Sequence, residues 1–438
     1  MEMTSWQITT NTMNSHWNKT LFFLKNLHVN THILKREAYF KHKMKILAAT
    51  HIGMEDSCKK EIKEKTGKES KIIQGGILFE TTKTEDLITL SYCSQTITKI
   101  IIILEKFKFK DDKLLEKIEK KASGVIQKKI KEYFETGHSF CVSTLKNGYT
   151  GKNSSPEIID SVSTIVRKNF SWNADYKEPE TKFIVFLNKE ICGIGIDFCM
   201  TELSKRHYKI FQVQPALKGG LCYGLLRFTG YNKKGLLLDP NCGGGELIIE
   251  AGLFKTGKAI NYYDKEKLKF APIKNISRIE LKKIFEENDT KIKESNKPEI
   301  FGYSSSFHHL NSAKKNAKIA GVNDCIQFGR NDLSWLDLKF DEKTIDFIIT
   351  FPMQYNNHTD IKKIEKYYDE FFKQSFLVLK DKGKIGIITQ KTEVINNMST
   401  KNGFKKQKEK TIMQGKEELH MIVFGKWVKL SYNFFTIK

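Results

Sequence analysis

Leu236-Leu237-Leu238-Asp239-Pro240-Asn241-Cys242-Gly243-Gly244-Gly245-Glu246-Leu247-Ile248-Ile249-Glu250-Ala251 decides how the chain folds. Three leucines suffice for a short buried strand, Asp239 ends it, a glycine turn follows, and apolar residues then return at helical spacing. The pattern is strand, turn, helix. Glycines suit such a turn because a ligand can press against their backbone. The helix beyond offers unpaired N–H groups at its first turn, and a carboxylate at the strand end accepts hydrogen bonds from amines and hydroxyls. This chemistry accommodates a nucleoside-sized ligand at the strand-to-helix crossover.

Around this stretch the chain runs to 438 residues, room for two or three domains that each bury a core. The longest aliphatic run, Ile100 to Leu104, is strand-sized, far short of the roughly 18 residues of a membrane span. With no signal-peptide pattern at the N-terminus, a cytoplasmic protein without a membrane partner is expected. Eight cysteines are scattered without a CxxC pair or a histidine at metal-ligand spacing, so reduced thiols and no metal site are expected. The net charge of +23 favours a polyanionic partner. Residues 1–210 carry 35 basic and 25 acidic groups, leaving 39 and 26 for the rest, so charge does not say where that partner docks. A solvated lysine-rich surface gives the same count.

Residues 1–43 show no clear period, and a clean strand pattern starts at Met44, which reads as the true start with the preceding segment a mis-called or dispensable extension. Strand, helix (Met54 to Lys65), a strand with a tight turn (Ile72 to Glu80), helix (Thr84 to Ser94) and strand (Thr98 to Leu104) follow, an α+β unit. A second alternating block holds helices at Leu114 to Tyr133 and Pro156 to Asn169, with strands at Ser139 to Ser143, Lys182 to Leu187 and Ile191 to Ile196.

Asp239-Pro240-x-Cys242-Gly243-x-Gly245 followed by Leu247 to Ala251 resembles motif I of the Rossmann-like S-adenosylmethionine (SAM) methyltransferases of nucleic-acid bases, in particular those with a THUMP domain. Leu203-Ser204-Lys205-Arg206-His207-Tyr208-Lys209 is similar to the Leu-x-x-Arg-Gly-Tyr-Arg segment of that family, departing from it at His207 and Lys209. The resemblance covers residues 44 to about 430. It implies a ferredoxin-like α+β domain (44–107), a THUMP RNA-binding domain (108–200), a linker (201–213) and a Rossmann-like α/β methyltransferase domain with a doubly wound, mostly parallel sheet (214–430). The architecture looks like that of archaeal and bacterial tRNA guanine-N2 methyltransferases, in which the THUMP domain holds the 3′ end of tRNA. The resemblance thus implies tRNA as partner and SAM as cofactor, and leaves open a small activator subunit. Lys146, Lys152, Lys205, Arg206 and Lys209 are the expected RNA contacts, with Arg206 facing a phosphate or else serving as a surface arginine at a domain junction.

In the same comparison Pro215 opens the helix that closes over the methionine end of SAM, though proline is also simply a good helix starter. Asp239, Gly243 and Gly245 would hold the methionine moiety, with Cys242 a small residue filling the turn. Glu246 stands where the family usually has threonine. At the end of the second strand, where an acid bridges the ribose hydroxyls, stand Ser304 and Ser305. Asp332 matches the residue near the adenine amine, or caps a helix. Thr350-Phe351-Pro352-Met353-Gln354-Tyr355 occupies the place of Asn/Asp-Pro-Pro-Tyr/Phe, which accepts hydrogen bonds from the base's amine and stacks a ring on the base. Phe351 or Thr350 replaces the polar residue according to register, Pro352 remains, and Tyr355 would supply the ring.

Three readings follow: a SAM-dependent tRNA guanine-N2 methyltransferase, a tRNA-binding THUMP protein with a decayed catalytic domain, and a DNA amino-methyltransferase, which leaves the N-terminal half unexplained.

Overall fold

The computed structural model describes residues 39–110, 113–134, 139–274, 277–295, 297–354 and 359–427. Its first half runs β1 (Tyr39–Ala49), α1 (Glu55–Thr66), β2 (Ser70–Ile73), β3 (Gly76–Lys83), α2 (Thr84–Cys93), β4 (Lys99–Lys108), α3 (Leu114–Tyr133), β5 (Ser139–Lys146), α4 (Ser155–Phe170), β6 (Asn173–Ala174), β7 (Thr181–Leu187) and β8 (Ile191–Asp197). β1 begins five residues before Met44; the segment expected to be an extension lies, over residues 1–38, outside the described residues.

These strands form one sheet, in the order β2-β3-β1-β4-β8-β7-β5-β6. The seam between the two expected modules is the antiparallel pair β4 and β8, from Ile101 opposite Asp197 to Lys108 opposite Ile191. The isoleucine run explains why β4 sits centrally. Its first six residues are buried and only its last four alternate, as a strand covered on both faces requires. α3 and α4 each bury one apolar stripe against the sheet, Ile118, Ala122, Ile126 and Ile130 at helical spacing in the first, and Ile158, Val162 and Val166 in the second.

The second half runs α5 (Gly219–Thr229), β9 (Leu237–Asp239), α6 (Glu246–Thr256), α7 (Arg278–Asp289), β10 (Ile300–Ser304), α8 (Phe307–Ala320), β11 (Ile326–Arg330), β12 (Ile345–Thr350), α9 (Ile361–Val378), β13 (Leu379–Thr389), α10 (Glu393–Lys401), β14 (Phe404–Gln414) and β15 (Glu417–Lys426). Its sheet has the order β11-β10-β9-β12-β13-β15-β14, parallel through β13 and antiparallel in the terminal hairpin. Chain order reverses on either side of β9, and the crevice beyond the carboxyl ends of such strands is where this class of sheet binds ligands.

The lysine-rich stretch from Asn261 to Pro298 returns to the first half. Phe270 bridges to Cys199 and Ile273 to Phe134, Phe285 packs on Tyr92 with ring centroids 4.7 Å apart, and the Tyr92 hydroxyl donates to Asp289 at 2.6 Å. It straps the C-terminal half to the N-terminal sheet. No helix among the described residues is long and apolar enough to cross a membrane.

Candidate active site at the crossover

All three residues of β9 are buried, so the strand delivers Asp239 to the crossover with its carboxyl enclosed. Asp239 Oδ1 accepts from the Thr350 hydroxyl at 2.6 Å and from the Asn241 amide at 3.1 Å. Burial pushes this carboxyl up to about 7, with the neighbouring Glu246 pushing the same way and the two hydrogen bonds opposing. Beyond it the turn needs left-handed backbone at Gly243 (φ +51) and Gly245 (φ +88). At Gly245 a Cβ would come within 3.0 Å of Ala313, whereas at Gly243 it would meet nothing within 4 Å. Gly243 therefore borders open space.

That space is a cleft of about 850 Å³, its open mouth included, walled by Val213 to Leu217, the β9 turn, His309 and Phe351 to Gln354. The structure thus gathers Pro215, Asp239, Cys242, Gly243, Phe351 and Pro352 around one cavity. Cys242 is buried, its backbone N–H donating to the Tyr303 carbonyl at 2.9 Å and its thiol pushed well up by burial, which makes it packing rather than a nucleophile. Thr350 is buried and its hydroxyl hydrogen is given to Asp239. Tyr355 lies outside the described residues.

Glu246 also borders the cleft and is buried. Its Oε1 lies 3.1 Å from Lys209 Nζ, near enough for an ion pair, yet the atom makes no hydrogen bond; Lys209 Nζ donates instead to the Leu217 carbonyl at 3.0 Å. Lys209, expected on the RNA, therefore sits behind the cleft.

The adenosine side is arranged differently from the sequence expectation. Ser304 is buried and its hydroxyl oxygen accepts the Ser306 N–H at 3.2 Å, while Ser305 is exposed. Neither lines the cleft. Asp332 is exposed and turns back on its own loop, accepting from the Ser334 N–H at 3.1 Å and the Ser334 hydroxyl at 2.9 Å, which makes it the cap of a single helical turn. Its neighbour Asn331, which the sequence reading passed over, is 5% exposed with both its amide nitrogen and its oxygen unpaired. An amide in that state costs about 1–3 kcal/mol per unmet group; like the two serines, Asn331 lies outside the lining of the cleft.

Of the expected RNA contacts, Lys146, Lys152 and Lys205 are exposed. Arg206 is not: its side chain is enclosed where the two halves meet, Nε 2.6 Å from Glu250 Oε1 and one terminal nitrogen donating to the Gln95 carbonyl at 2.7 Å. Tyr208 and the Gln95 side chain donate to the same carboxylate, at 2.8 and 2.6 Å. The approach depends on Gly219, where a Cβ would lie 2.4 Å from both Arg206 Nε and Glu250 Oε1. A residue held this way has no donor directed at a phosphate in solvent.

Two family models match the chain: the THUMP domain over residues 113–197 and the RMKL-like methyltransferase domain over residues 206–420. This chain couples a THUMP domain to an RMKL-like methyltransferase domain. It is 26% identical to the tRNA (guanine(6)-N2)-methyltransferase of Methanocaldococcus jannaschii over 377 residues, 83% of this chain and 95% of that one. It is 25% identical to the ribosomal RNA large subunit methyltransferase K/L of Buchnera aphidicola subsp. Schizaphis graminum over 70% of this chain, a match spanning only 44% of that longer protein. Among solved structures, SMU.472 complexed with SAH superposes with a TM-score of 0.69 at 19% identity, over 89% of this chain and all of the other. The combination of a THUMP domain with a mostly parallel methyltransferase sheet is the fold expected from the sequence.

Proposed function

We propose that the protein transfers a methyl group from SAM to the exocyclic N2 of a guanosine in the acceptor-stem region of tRNA, in the cytoplasm, with the THUMP domain holding the tRNA 3′ end. The observation that carries this reading is the pair of buried carboxylates, Asp239 and Glu246, on one cleft whose glycine turn leaves backbone bare. Lys209 Nζ stands 3.1 Å from Glu246, which leaves Asp239 as the enclosed carboxylate with no cation among the described residues; enclosing a carboxylate that way is costly, and SAM brings an ammonium and a sulfonium. The residues present fit that ligand. Asp239, steadied by Thr350 and Asn241, faces the ammonium; Gly243 gives the backbone room for the methionine chain; the unpaired Asn331 amide suits the adenine edge. When bound, SAM supplies a methyl group already activated on sulfur, which leaves the protein the task of alignment. Exposed Lys146, Lys152 and Lys205 are the RNA contacts retained in this reading, while Arg206 and Lys209 act within the protein.

A second reading, a tRNA-binding protein whose catalytic half has decayed, is favoured by Phe351 at the amine-accepting position and by the commitment of Thr350 to Asp239. A DNA substrate gives the THUMP half no role. Calorimetry with SAM followed by methyl transfer to purified tRNA separates the two. Binding and transfer establish the enzyme; absence of binding at millimolar SAM leaves RNA attachment alone.

A further inference from the structure

The loop after β12 presents three successive carbonyls near the cleft, and each already has a donor from this chain. Asn241 Nδ2 donates to the Phe351 oxygen at 3.1 Å and the Tyr368 hydroxyl to the Met353 oxygen at 2.8 Å. The middle one is met by the loop itself: Gln354 Nε2 donates to the Pro352 oxygen at 2.6 Å, while Gln354 Oε1 accepts the Gln390 N–H at 3.0 Å. These partners fix which way the carboxamide points, because the flipped amide would set oxygen against oxygen and N–H against N–H.

A carboxamide nitrogen on a trigonal carbon presents the same two N–H donors as the exocyclic amine of guanine. With Phe351 in place of a polar residue and Thr350 turned to Asp239, the Pro352 oxygen is the acceptor that remains for such an amine, and Gln354 holds it. We infer that Gln354 is the resident occupant of the transfer site: its side chain stands in for the substrate's amine, and a base enters only as the carboxamide swings away from the Pro352 carbonyl. This rests on reading the cleft as a methyl-transfer site.

The surroundings give that exchange room. Gln390, which anchors the far end of the carboxamide, belongs to a second cavity of about 820 Å³ lined also by Ile361, Lys391, Thr392, Val394 and His420. Gln354 lines the first cleft and Gln390 the second cavity, and the hydrogen bond between them joins the two. The exchange costs the carboxamide its bonds to the Pro352 oxygen, to the Gln390 N–H and, at 3.5 Å, to the Ile388 oxygen, and the incoming amine restores the one to Pro352. A base that lacks the amine restores none, so it has nothing to set against the displacement.

The test uses the full chain with saturating S-adenosylhomocysteine and measures guanosine and inosine binding by saturation-transfer NMR. The proteins are wild type, Gln354→Ala, and Gln354→Met, which keeps the bulk without the hydrogen bonds. Both variants are expected to bind guanosine and inosine alike about tenfold more tightly than wild type, the release of one to two modest hydrogen bonds, with the preference for guanosine over inosine and the S-adenosylhomocysteine affinity changed less than twofold. Unchanged or weaker guanosine binding in both variants, no guanosine binding by any of the three proteins, or a gain for one nucleoside without the other, overturns the inference. A gain for both nucleosides in a protein that methylates no tRNA keeps Gln354 as the occupant of the site and removes the methyltransferase reading. Methylation by wild type without the gain does the reverse.

Discussion

Buried charge is handled in opposite ways at two places less than one helix apart. At the junction of the halves, Glu250 near the middle of α6 receives Arg206, Tyr208 and Gln95 together, and every partner comes from this chain. At the first turn of the same helix, Glu246 has Lys209 Nζ at 3.1 Å but keeps an oxygen without a hydrogen bond, and on the same cleft Asp239 is held up near neutrality by burial. A carboxylate enclosed and fully bonded is structural; one enclosed and left wanting is waiting for a ligand. One helix therefore ties the N-terminal half to the methyltransferase domain with one carboxylate and, in the function proposed, sets the other beside the cosubstrate.

The contrast breaks most visibly at Arg206. Replacing it by alanine leaves Glu250 buried with its strongest partner gone, and such a loss costs about 3–5 kcal/mol. Urea unfolding of Arg206→Ala is expected to show that deficit, with Arg206→Lys intermediate because a point charge cannot reproduce the guanidinium's several directed donors. A stability change below about 1 kcal/mol, with weakened tRNA binding instead, would return Arg206 to the RNA surface.

The next effect lies at Asp239 and has the opposite signature. Asp239→Asn keeps an oxygen for Thr350 and the Asn241 N–H but removes a buried charge, so stability at neutral pH is expected to hold or rise. SAM affinity is expected to fall about thirtyfold, the worth of a charge-assisted hydrogen bond. The same residue predicts a pH dependence. A folded-state value raised to about 7 means that the free protein gains stability from protonation as pH falls below 7, while a cationic ligand needs the ionised form. Binding then releases a proton, and calorimetry is expected to show SAM affinity about eightfold weaker at pH 6 than at pH 7.5, levelling off above. The other titratable groups facing the cleft are Glu246 and His309, the latter lowered by burial and by His308, so Asp239→Asn, expected to be nearly flat over this range, identifies the source.

What the sequence disclosed follows from the range of each interaction. Period and turn chemistry are local, so α3 was readable to its end residues, and the β9 turn announced itself through Asp239 and three glycines. The single eight-stranded sheet was hidden because the pairing of β4 with β8 joins residues about ninety apart. Arg206 and Lys209 look alike in sequence to any basic residue at a junction, and only their partners, Glu250 and Glu246, make them internal. The strap from Asn261 to Pro298 was likewise opaque: its lysines advertise solvent, and the few residues that dock it, Phe270, Ile273 and Phe285, follow no period.

The smallest effect sharpens the comparison on the adenosine side, where two adjacent residues divide as the two glutamates do. Asp332 has its hydrogen bonds from Ser334 and behaves as a cap, so Asp332→Ala is expected to cost about 1 kcal/mol of local stability and to change SAM affinity less than twofold. Asn331 is buried with nothing on either end of its amide, so Asn331→Leu is expected to leave the melting temperature unchanged or raise it, since an unmet polar group is removed. Its cost should fall on the ligand: about fivefold in SAM affinity, the worth of one modest hydrogen bond. Adenine analogues locate that loss. If Asn331 pairs with the amine, wild type should prefer SAM to its inosine counterpart and Asn331→Leu should bind the two alike. A preference that survives Asn331→Leu but vanishes in Asp332→Ala would mean that Asp332 abandons its cap when the ligand arrives.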